Sequence, residues 1–102
     1  MQPISIELEY DSKEELVSIS KNQVFVNYIL KKSYDFIEDA LTNKLETTKI
    51  FDIVNLGVFI TLKKSNYIPI LHKILKVFQE EEEYEMCIKV KKLIDKYESK
   101  KI

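Results

Sequence analysis

The sequence predicts an α+β fold: a small antiparallel sheet packed on one long helix, with an αα-hairpin at the C-terminal end. Three observations carry that expectation. A period-two stretch opens the chain, a β-branched and phenylalanine-rich run with the only glycine lies at its centre, and apolar stripes at helical spacing fill the rest. At 102 residues, with 45% hydrophobic and 32% charged residues, the composition is that of one globular domain, residues 1–102. Residues 1–65 hold the strand, long helix and β-hairpin, and residues 66–102 hold the helical hairpin.

In "ISIELEY", Ile4, Ile6, Leu8 and Tyr10 alternate with Ser5, Glu7 and Glu9, the pattern of a half-buried strand. Ser12 with Glu15, and Ser20 with Gln23, have the spacing of capping boxes. The first opens a short turn of helix. The second opens a long helix from about Lys21 to Leu45, with Val26, Leu30, Tyr34, Ile37, Leu41 and Leu45 on one stripe. Phe25, Ile29, Phe36 and Ala40 widen the stripe, so cover on more than one side is expected. Two strands at about 48–54 and 58–63 then meet at Asn55-Leu56-Gly57, where glycine takes the left-handed position. Ser65 or Asn66 caps a third helix whose stripe is Tyr67, Leu71, Ile74, Leu75 and Phe78, and Pro69 is tolerated in its first turn.

The run Glu80-Glu81-Glu82-Glu83 ends this stripe. In one straight helix, the six steps from Phe78 to Tyr84 rotate the apolar face by about 240°. A reversal near Gln79 to Glu82 instead folds two stripes together, pairing Leu71, Leu75 and Phe78 with Tyr84, Cys87, Ile88 and Ile94. Tyr84 is then expected against Phe78 or Leu75. Glu82, Glu83 and Glu85 crowd the positive end of the last helix, and Lys89, Lys91, Lys92, Lys96 and Lys100 lie toward its negative end.

The stretch "LHKILKVFQEEEEYEMCIKVKKLIDKY" resembles the UVR motif, the small helical hairpin of the excision-repair proteins UvrB and UvrC and of the McsA class of kinase activators. Leu71 or Leu75, Glu82, Glu83, Tyr84, Glu85, Cys87, Ile88, Val90, Lys91 and Ile94 occupy the matching positions. The likeness covers the last third of the chain. It departs where Lys91-Lys92 stand for Arg-Asp and Cys87-Ile88 for paired small residues. It implies a module for protein–protein contact, by pairing with a second copy, and no repair chemistry.

Several function classes lose support on composition. One glycine builds neither a phosphate-cradling loop nor a dinucleotide fingerprint, and no Ser-His-Asp arrangement is legible. His72 has no partner ligands nearby in sequence, and Cys87 in an apolar stripe reads as a buried, inert thiol. Glu7 and Glu9 share a strand face, which reads as solvated. No cofactor or metal is expected, and the chain reads as a non-enzyme. All sixteen basic residues are lysine and the net charge is −1, which argues against direct nucleic-acid binding despite the doublets Lys31-Lys32, Lys63-Lys64, Lys91-Lys92 and Lys100-Lys101. No apolar run spans a bilayer and no signal segment opens the chain, so no membrane is expected.

With one cysteine and no arginine, against sixteen lysines and fourteen isoleucines, the chain reads as cytoplasmic and encoded by an AT-rich bacterium, phage or mobile element. The expected function is non-catalytic binding of another protein, in a self-associating or heteromeric regulatory or adaptor role. Its contact residues are Glu80, Glu81, Glu82, Glu83, Glu85, Lys91 and Lys92. The alternatives are a structural component of an assembly such as a virion, or an acidic inhibitor that occludes a nucleic-acid site on its partner.

Overall fold

The computed structural model describes residues 1–98, so the Lys100-Lys101 doublet lies outside the described residues. The opening alternation forms a short strand, β1 (Ile4–Ile6). Two helices follow, α1 (Lys13–Lys21) and α2 (Gln23–Thr42), then a hairpin of β2 (Thr47–Ile53) and β3 (Val58–Lys63). Two more helices, α3 (Tyr67–Glu80) and α4 (Tyr84–Glu98), complete an α+β fold. The three strands lie in the order β1-β2-β3.

The sheet is mixed, where an antiparallel one was expected. β2 and β3 are antiparallel, but β1 runs parallel to β2, with Ile4 opposite Phe51 and Ile6 opposite Ile53. Parallel neighbours need a crossover connection, and α1 and α2 supply it. At the hairpin tip a 3₁₀ turn, Val54–Leu56, ends in Gly57 at φ +64°, the left-handed position expected for it. A Cβ built there meets nothing within 4 Å, so only backbone strain opposes a side chain. Gly57→Val is therefore expected to lower stability by about 1–3 kcal/mol, and Gly57→Asn by less, because asparagine tolerates this region. Urea unfolding of the two variants checks the ranking.

The long helix expected from about Lys21 to Leu45 forms as α2, with both ends drawn in to Gln23 and Thr42. Asn22 sits in extended backbone (φ −68°, ψ 125°), and its side chain accepts from the Phe25 N–H at 3.1 Å, so it caps α2. Ser20, placed at the N-cap by the sequence pattern, instead donates its hydroxyl to the Val17 carbonyl at 2.7 Å and stays inside α1. The upstream capping box is real in substance: Ser12 Oγ accepts from the Glu15 N–H and Glu15 Oε2 accepts from the Asp11 N–H, both at 3.2 Å. Neither Ser65 nor Asn66 caps α3 through its side chain; a 3₁₀ turn, Lys64–Asn66, winds directly into the helix.

Two helices end without glycine. After α2, Lys44 is left-handed (φ 55°) and the Leu45 N–H donates back to the Ala40 carbonyl at 2.9 Å. After α3, Glu82 is left-handed (φ 57°) and the Glu83 N–H donates to the Phe78 carbonyl at 2.9 Å. Both are Schellman closures. Leu45 therefore leaves the α2 stripe and is exposed.

α2 has two working faces. Phe36, with Ile29 beside it, packs on the sheet with Ile50 and Phe51. A bulge between Lys49 and Phe51 turns these two consecutive residues into one core. The other α2 face, Tyr34, Ile37 and Ala40, packs with Leu71, Ile74 and Phe78 of α3 and Cys87, Val90, Leu93 and Ile94 of α4. A projecting helical hairpin was expected from the sequence, but α3 and α4 pack on the domain and their apolar stripe is spent on α2. Tyr67 locks the arrangement, being fully buried and donating its hydroxyl to the Leu45 carbonyl at 3.1 Å.

The phase of α4 corrects the expected hairpin packing. Leu71, Phe78, Cys87 and Ile94 are buried and Leu75 is half-buried, but Tyr84 is 63% exposed and Ile88 is 55% exposed. Val90 and Leu93 take their places. Once Glu82 reverses the chain, α4 starts at Tyr84, about 120° around the helix from Val90, which points its ring outward.

Candidate protein-docking surface

β1 leaves the sheet after Ile6, and the side chain of Asn55 takes over the pairing. The Leu8 N–H donates to Asn55 Oδ1 at 3.1 Å, and Asn55 Nδ2 donates to the Leu8 carbonyl at 2.8 Å. This clamp ties the β1 exit to the hairpin tip and carries Leu8 over the inner face of the sheet. α1 then crosses the same end of the molecule without burying a single residue; Leu16 and Ile19 are only half-buried. The result is an open cleft of about 280 Å³. Leu8, three α1 residues (Leu16, Val17 and Ser20), Phe25 at the start of α2, and Ile53, Leu56 and Ile60 of the hairpin line it.

The lining is almost wholly apolar. Its one polar side chain, Ser20, already donates to Val17. The other lining side chains are apolar, with no acidic or basic group among them. Val17 in the lining, and Val54 of the adjoining hairpin tip, are each about half exposed.

A second concavity of about 440 Å³ lies between α2 and α4. Asp35 and Glu38 form one wall, Lys89, Lys92 and Lys96 the other, and Tyr34 sits between them. The Tyr34 hydroxyl donates to Glu38 Oε2 at 3.3 Å, and its pKa is pushed up to about 12, first by burial and then by the Glu38 carboxylate. Burial raises Tyr67 as well. A tyrosine whose folded pKa exceeds its unfolded value stabilises fully below the unfolded pKa of about 10 and loses that contribution as pH rises toward 12. The denaturation midpoint should therefore fall between about pH 10 and 12, and Tyr34→Phe should make the fall shallower. Urea titrations across that range test it.

The contact residues expected from sequence lie at the α3–α4 turn and along α4, all exposed. Glu80, Glu81, Glu82, Glu83 and Glu85 are all exposed at the α3–α4 turn. Lys31 of α2 engages two of them, Glu81 at 2.7 Å and Glu83 at 3.8 Å, and the Glu81 hydrogen bond is the main cause of its raised pKa. Glu80 lies 4.0 Å from Lys76. Lys91 and Lys92 are exposed on different sides of α4, and only Lys92 lines the groove. His72 meets Glu98 at 3.0 Å on the surface, and Cys87 is buried. Glu7 and Glu9 are exposed. Among the described residues, no three His, Cys, Asp or Glu side chains gather to hold a metal ion, and no helix is long and apolar enough to cross a membrane.

Sequence reasoning missed the cleft. One signal for it was present: residues 53–60 pass through a hairpin tip without a charged side chain, where turns ordinarily are polar. Comparison with protein-family models, curated proteins and solved structures returns no match for this chain.

Proposed function

We propose that the protein is a non-catalytic protein-interaction module that seats apolar side chains of a partner in the cleft beneath α1. One observation carries this reading: an open, almost wholly apolar cleft whose lining includes the half-exposed Val17. The UVR-like character of α3 and α4 supports the same class of function. Their shared apolar stripe packs on α2 within the chain, so self-pairing through the hairpin would use the exposed Tyr84 and Ile88. A regulatory or adaptor role in a bacterium or phage suits a domain of this size. The phosphate-mimic reading of the acidic run loses support, because Lys31 holds Glu81 and Glu83.

A photo-activated cross-linking residue placed at Val17, at Val54 and, as control, at Lys92 tests the proposal in cells that express the protein. The expected result is one discrete adduct shared by the Val17 and Val54 positions and absent from Lys92. No adduct at either cleft position, or the same adducts at all three, overturns it.

A further inference from the structure

The segment between the cleft-lining residues Leu8 and Leu16 is acidic. Glu7, Glu9, Asp11, Glu14 and Glu15 accompany a single lysine, Lys13, between residues 7 and 15, a local net charge of −4. All five carboxylates belong to exposed residues. Elsewhere several acidic side chains meet cations: Asp39, Glu46, Glu80, Glu81 and Glu83 each lie within 4.0 Å of one. Among the described residues, none of the five in this segment does so. The hairpin stretch at residues 53–60 carries no charge at all. An apolar seat beside an uncompensated acidic segment selects for a particular occupant.

We infer that the cleft binds a basic amphipathic segment of another protein, whose apolar face enters the seat while flanking Lys or Arg side chains meet residues 7–15. This rests on the docking reading above. The cleft volume accepts the paired apolar anchors that a helix presents at i and i+4. The same charge pattern disfavours a second copy of this chain. Two-fold pairing through the cleft would face one −4 segment with another. Head-to-tail docking of Tyr84 and Ile88 would bring the glutamate-rich α3–α4 turn to the same acidic segment. An anionic membrane is disfavoured for the same reason.

The probe is a synthetic amphipathic helix of leucine, alanine and lysine, compared with a twin carrying glutamate at every lysine position. Each is titrated into the isotope-labelled full chain and followed by NMR. The lysine peptide is expected to shift the amide signals of Leu8, Val17, Ser20 and Leu56 and to bind at least about tenfold more tightly than its twin. The advantage should shrink as salt is raised, and in the Glu9→Lys, Glu14→Lys double variant. Val17→Asp, at a half-exposed position, should abolish the shifts while the rest of the spectrum stays dispersed. Equal binding of both peptides at the cleft overturns the charge selection and leaves the docking reading standing. Shifts elsewhere, or none, overturn both. Cleft signals that move with protein concentration alone, or that vanish on phosphatidylserine vesicles, overturn the basic-protein partner in favour of a second copy or a membrane surface.

Discussion

Phe51→Ala is expected to lower stability by about 3–5 kcal/mol, the range for truncating a buried aromatic ring. Phe51 is fully buried at the centre of the middle strand, with Ile4 opposite on one side and Ile60 on the other. Its ring also lies 6.0 Å from that of Tyr28 on α2, so the sheet–helix core and both strand pairings lose contacts together. A domain of this size has about 5–15 kcal/mol in total, so the variant sits near the folding threshold. Phe59 offers the internal control. It lies on the opposite sheet face, half exposed beneath the Lys49 ammonium at 4.4 Å, and Phe59→Ala should lower stability by under about 1 kcal/mol. Urea midpoints of the pair decide the matter. Equal losses would mean that the helix covers the wrong face.

Ile94→Ala should lower stability by about 2–5 kcal/mol, while Ile88→Ala on the same helix should change it by under about 1 kcal/mol. The two residues are chemically identical and six positions apart, but Ile94 is 6% exposed in the three-helix core and Ile88 is 55% exposed. Helix propensity changes equally in both, so the difference isolates burial. Tyr84→Ala belongs with Ile88. If Ile88→Ala or Tyr84→Ala proves the more damaging, α4 is rotated from the phase described.

Much of the architecture was legible because the local signals agreed with the global fold. The alternation at Ile4 and Ile6, the Asn55-Leu56-Gly57 tip and the Tyr67-Leu71-Ile74-Phe78 stripe each led to the element they encode. Boundaries failed where two caps competed: Asn22 and Ser20 both qualify, but the Ser20 hydroxyl turns back to the Val17 carbonyl while Asn22 Oδ1 accepts from the Phe25 N–H. The phase of α4 failed because a left-handed glutamate fixes it, and no residue type announces that conformation outside glycine. The direction of β1 depends on how α1 and α2 return the chain, a tertiary matter. The cleft was least legible of all, since a concavity assembled from four separate segments has no linear pattern. The acidic run drew the eye, yet Lys31 turns part of it into a structural contact.

The parallel pairing of β1 also orders events in time. α3 and α4 meet across a short turn, and β2 and β3 across another, so their contacts close small loops. Ile4 must find Phe51 from far along the chain, with only three residues to reward the search. Loop-closure entropy makes such a pairing slow to form and the first to open. β1 should therefore be the last strand to anneal during folding and the least protected against amide exchange afterwards, its release admitting solvent to the Leu8 end of the cleft.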